Sequence, residues 1–128
     1  MKSKMVVGMT ALALALLVAS PARSEEIGIQ VSPSTINLGE QGTWVTVHAD
    51  IPLAGVITAT VMLNGVEVAW TKADSQGNLV AKFVVDDVRA IVAPPSATLE
   101  LVGEVVTPEG TVAFSGSDSV RVIAGGKR

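Results

Sequence analysis

Cysteine is missing from this chain altogether. That single absence removes disulfides, thiol nucleophiles and thiolate metal sites together, along with the cysteine that an N-terminal lipid anchor requires. Tyrosine is missing too, and Trp44, Trp70, Phe83 and Phe114 are all the aromatic residues there are. His48 is the sole histidine, so no metal site can be assembled from several imidazoles. Basic residues are scarce: from Glu25 onward six face twelve acids, a formal charge of −6. Nucleic acid is therefore not an expected partner, because its affinity rests on clustered Lys and Arg neutralising phosphates. There is also no glycine-rich phosphate loop and no nucleophile elbow. We expect no catalytic residues, no cofactor and no enzyme, with a carboxylate-based hydrolase as the remote alternative.

The first residues are informative. Lys2 and Lys4 precede an apolar run from Met5 to Val18, which ends in Ala19-Ser20-Pro21-Ala22-Arg23-Ser24. A short basic segment, an apolar segment too brief to span a bilayer and small residues three apart are the marks of a secretory signal peptide. Residues 1–24 are read as that signal, cleaved after Ala22 or after Ser24. The expected location is extracytoplasmic, either periplasmic or secreted, with no membrane anchor after cleavage. Residues 25–123 then form one domain of ordinary size, followed by a flexible tail over 124–128.

Period-two alternation runs through most of that domain, as half-buried strands require. Ile27, Ile29 and Val31 alternate with Gly28 and Gln30 before Ser32-Pro33-Ser34 breaks the strand, and Ile36-Asn37-Leu38 is a further short piece. Thr43 to Ala49 puts Val45, Val47 and Ala49 on one face and Trp44, Thr46 and His48 on the other. Asn64-Gly65 is the pair that accepts the two positive φ angles of a type I′ hairpin. A two-residue loop there predicts the pairs Leu63 with Val66, Val61 with Val68 and Ala59 with Trp70. Leu79, Ala81 and Phe83 share an inward parity. Around 86–92 the period changes: Val88, Ile91 and Val92 are spaced for a short helix with an Asp as N-cap and Pro94-Pro95 as stop. Later strands are predicted over 97–106, 111–114 and 119–123, with Ser115-Gly116-Ser117-Asp118 as a turn. Short strands punctuated by turns predict an all-β, two-sheet antiparallel sandwich rather than a barrel.

Three stretches carry a resemblance. They are Ile27 to Gly39 with Gly42-Thr43-Trp44-Val45-Thr46-Val47, Val61-Met62-Leu63-Asn64-Gly65 with Asp74 to Phe83, and Phe114 to Ile123. In this order they resemble an immunoglobulin-like sandwich domain that recurs in large secreted and surface proteins of bacteria and archaea. The resemblance implies the fold and a structural or interaction role more than any activity. Several such domains carry a run like Asp-x-Asp-Gly-Asp in the middle turn, able to hold calcium. Here the turn is Asp74-Ser75-Gln76-Gly77-Asn78, with one carboxylate left where calcium wants several charged oxygens. No metal site is carried over, and weak calcium binding near Asp74 stays open.

The remaining polar residues have ordinary explanations. Asp86 and Asp87 suit a helix start, and Asp118 with Arg121 suits a turn and a surface ion pair. Trp70 and Phe83 are expected in the core. Trp44 is the exception, because its face carries Thr46 and His48. That trio is the candidate face for a partner, whether an unknown protein or a surface polysaccharide. The leading expectation is a non-catalytic structural or protein-interaction module, and the alternative a carbohydrate-binding module acting through Trp44. Pairing through an exposed strand edge, 26–31 or 119–123, is a further expected route to a partner.

Overall fold

A computed structural model describes residues 24–39 and 42–125. The expected signal peptide lies outside the described residues apart from Ser24, as do residues 126–128 of the expected tail. The strands are β1 (Ser24–Glu26), β2 (Ile29–Ser32), β3 (Thr35–Asn37), β4 (Trp44–Pro52), β5 (Val56–Leu63), β6 (Val66–Glu67), β7 (Trp70–Ala73), β8 (Asn78–Val84), β9 (Ser96–Thr107) and β10 (Gly110–Ile123), with one short helix, α1 (Val85–Arg89). They build an all-β two-sheet sandwich. One sheet runs β1-β10-β9-β5-β6 with β3 also on β10, and the other runs β2-β4-β8-β7. The neighbours are antiparallel except that β1 and β3 lie parallel to β10, two pairings the alternation pattern does not reveal.

The core lies between the sheets and is filled as alternation predicts. Val45, Val47 and Ala49 from β4, Leu79, Ala81 and Phe83 from β8, Leu99, Leu101 and Val105 from β9, and Val112, Phe114, Val120 and Val122 from β10 are all buried. Each large apolar side chain so removed from water contributes about 1.5–3 kcal/mol. The Phe114 ring lies where a side chain at its cross-strand partner Gly103 would stand, since a Cβ there would be 2.5 Å from Cζ. A glycine covered by a facing aromatic is a recognised way to hold a register.

The chain passes between the sheets six times in strand order, and two of those passages alter what the sequence predicts. Ile27 still donates to the Ser115 carbonyl in the larger sheet (2.8 Å), while the Gly28 carbonyl already accepts from Asp50 in the smaller one (2.9 Å). Ile27 crosses so close to β10 that a Cβ at Gly116 would lie 2.5 Å from the Ile27 carbonyl oxygen and 2.8 Å from Ile29 Cγ2. Two residues on, the Asp118 carboxylate accepts from the Val31 N–H at 2.9 Å, with its other oxygen on the Ser119 N–H at 2.9 Å. The predicted turn at 115–118 is therefore wrong: β10 runs unbroken through it. Its glycine gives room to the crossing segment, and its aspartate pairs with a backbone donor of that segment, not with Arg121. Nor is 119–123 a free edge, because β9 flanks it on one side and Thr35–Asn37 on the other.

The other of these two passages follows the Asn64-Gly65 hairpin. Both residues have positive φ (48° and 85°) and Leu63 faces Val66, as predicted. Val68 donates to the Val61 carbonyl (3.2 Å) in one sheet, then Ala69 donates to the Lys82 carbonyl (2.8 Å) in the other. The switch inverts which parity faces inward. Trp70 therefore does not pair with Ala59 and is not in the core. It pairs with Lys82 in the smaller sheet and is 42% exposed.

The predicted helix exists but is shorter. Val85 and Val88 are its buried residues, and Val84, which has no capping side chain, precedes it in place of the expected Asp cap. Asp86 and Asp87 occupy the first turn, where carboxylates favour the helix dipole, and Asp86 pairs with Arg89 at 3.0 Å. Ile91 is exposed because the chain has already left the helix. No helix among the described residues is long and apolar enough to cross a membrane.

Candidate functional site

The outward parity of the smaller sheet collects the chemistry. Reading across strands, Ser32, Thr46, Lys82 and Trp70 form one row, and Gln30, His48, Val80 and Lys72 form the next. Trp44 stands beside Val84 at one end. All these residues take the positions that alternate with the buried ones, which is why β4 reads exposed-buried along Trp44, Val45, Thr46, Val47 and His48. Val80 is buried although it is left out of the inter-sheet core, so the side chains around it on this outer face roof it over.

The expected trio is thus placed on one face: Trp44 exposed, Thr46 half-buried and His48 exposed. It has a companion the alternation pattern misplaced. Trp44 and Trp70 meet edge to face with ring centroids 6.0 Å apart and planes at 89°, a favoured geometry for two quadrupoles. They arch across β8, which lies between their strands. Lys82 Nζ sits 5.6 Å from the Trp70 centroid and Lys72 Nζ 6.0 Å from it, both within cation–π range. The signal in the sequence is Lys72, which shares Trp70's parity, since a lysine there argues against burial of that face.

Along the same face the character changes. Gln30, His48, Asp50, Asp74, Gln76 and Asn78 line an open polar cleft of about 280 Å³. Asp74 is held below the ordinary carboxylate value, first by the Asn78 N–H (3.0 Å) and next by the Gln76 N–H (2.8 Å), both on Oδ1, with His48 adding a smaller effect. Those hydrogen bonds, with Gly77 at φ 83°, make the 74–78 turn. The lone carboxylate of that turn is engaged in shaping it. Among the described residues no group of three His, Cys, Asp or Glu side chains is placed to hold a metal ion.

The face therefore offers two indoles and two ammonium groups at one end, and amides, an imidazole and two carboxylates at the other. Such a surface can stack, pair charges and exchange hydrogen bonds with a ligand. No known protein family, characterised protein or solved structure matches the chain.

Proposed function

We propose that this chain is an exported, non-catalytic recognition module of the immunoglobulin-like type, which binds its partner through the outer face of the four-stranded sheet. The observation that carries this reading is that both tryptophans of the chain stand on that face, in mutual contact and 39% and 42% exposed. Tryptophan left half in water forgoes burial that the core could have supplied, and it is the residue most enriched at binding hot spots. The leader-like residues 1–24 support a periplasmic or secreted location.

The test is capture from native envelope and secreted fractions by the purified mature protein. Trp44→Ala and Trp70→Ala serve as variants, with their denaturation curves recorded alongside. The expected result is a specific component, protein or polysaccharide, retained by the native protein and lost with either variant. Equal retention by folded variants overturns the assignment of the face.

A further inference from the structure

Resting on that reading, we propose that the ligand of this face is an acidic polysaccharide, with its anionic groups at the Lys72–Lys82 end and its hydroxyls in the Asp50–Asp74 cleft. Two lysines direct their ammonium groups to a single indole, at 5.6 and 6.0 Å from the Trp70 centroid. The two charges can be no further apart than the sum of those distances. Neither lysine is paired with a carboxylate, since the ion pair among the described residues is Asp86 with Arg89. In a chain with twice as many acids as bases beyond residue 24, a dibasic spot is a local inversion of sign. An anion placed beside the Trp70 ring gains attraction to both lysines.

The rest of the face decides which anion. Exposed indoles present flat apolar surface, which suits the C–H faces of sugar rings. In the cleft, the amides of Gln30, Gln76 and Asn78 can both donate and accept, and Asp50 and Asp74 accept only. Hydroxyls, which also do both, satisfy that mixture. An acidic peptide does so poorly, because a continuous run of carboxylates would meet Asp50 and Asp74. From Trp70 to Asp74 the face extends about 13 Å along the chain, at roughly 3.3 Å per strand residue, which is room for a short stretch of glycan. A chain with spaced anionic groups and many hydroxyls fits both ends, and a uniformly charged polymer fits one.

Titration calorimetry with hyaluronate and unsulfated chondroitin, which carry one carboxylate on every second sugar, and with neutral dextran and poly-glutamate tests this. Binding of hyaluronate or chondroitin is expected, at least tenfold tighter than dextran or poly-glutamate, and weakened at least tenfold by the double variant Lys72→Gln/Lys82→Gln or by 0.5 M salt. A Lys72→Arg/Lys82→Arg variant should retain the binding, which separates charge from damage to the fold. Absence of acidic-polysaccharide binding, dextran or poly-glutamate bound as tightly, or an undiminished double glutamine variant each overturns the ligand assignment. If tryptophan-dependent capture from envelope fractions persists in that case, the ligand class alone is wrong. If Trp44→Ala and Trp70→Ala alter no binding at all, the recognition reading itself falls.

Discussion

The seam where the N-terminal segment crosses between the sheets and the outer face of the four-stranded sheet are built from opposite kinds of residue. At the seam, Gly116 and Asp118 are chosen for what cannot be added or removed: a glycine under a backbone carbonyl and a carboxylate on a backbone N–H. On the outer face, Trp44, Trp70 and Lys72 are exposed and Lys82 is half-buried, the two indoles meet edge to face, and both ammonium groups lie within 6.0 Å of the Trp70 ring centroid. A small and a polar residue hold the fold at the seam, whereas both tryptophans stand outside the core that Phe83 and Phe114 help to fill. The usual association of tryptophan with structure and of Ser, Gly and Asp with dispensable turns is reversed.

That contrast can be broken most forcefully at Gly116. Any side chain there meets the Ile27 carbonyl, which is backbone and cannot rotate away, so Gly116→Ala should cost about 3 kcal/mol, the upper part of the range for overpacking. Urea denaturation would measure the loss, and hydrogen exchange should show it concentrated in residues 24–32. An unchanged midpoint would mean that the crossing segment can shift at little cost. Asp118→Ala comes next. It strands the Val31 N–H between the sheets, for which about 1–3 kcal/mol is expected, while Asp118→Asn keeps an acceptor and should lose less.

On the outer face the effects on stability should be smaller. Trp44→Ala and Trp70→Ala each forfeit an edge-to-face contact worth about 0.5–1.5 kcal/mol. A double-mutant cycle should return a coupling of that order, and both variants should fold. A loss well beyond that range would show that the indoles belong to the structural part of the molecule after all. The smallest effect concerns Asp74, whose folded-state pKa lies below its ordinary value of 3.8. A lowered carboxylate stabilises the fold above the ordinary value, and that contribution disappears as pH falls through the lowered one. Denaturation curves for native protein and Asp74→Ala should therefore differ by a constant amount at neutral pH and converge in acid. A difference that grows in acid would contradict the assigned turn.

Most strands were legible because one face of each is buried and the period of two follows directly. Val45, Val47 and Ala49 against Trp44, Thr46 and His48 is the plainest instance, and Leu79, Ala81 and Phe83 another. What alternation does not encode is which sheet a strand belongs to. The passage at Val68–Ala69 reverses the inward parity without any interruption in the pattern, so Trp70 reads as core from its neighbours Val66 and Val68. The passage at Ile27–Gly28 has a similar consequence at a distance. Gly116 and Asp118 are explained by residues nearly ninety positions away in sequence, and composition alone turns them into a loop. Half of the candidate face, Trp44, Thr46 and His48, was legible for the first reason. Trp70 was hidden for the second, and with it the convergence of Lys72 and Lys82.

Because Trp44 and Trp70 are both of the chain's tryptophans, intrinsic fluorescence reports on the candidate face and nowhere else. The most direct measurement is tryptophan emission and acrylamide quenching of the native protein during titration with hyaluronate, beside calorimetry of the same mixture. The account predicts an emission shift and protection from acrylamide that saturate together with the heat of binding. Heat of binding with unchanged emission and unchanged quenching would place the ligand elsewhere on the molecule and contradict it.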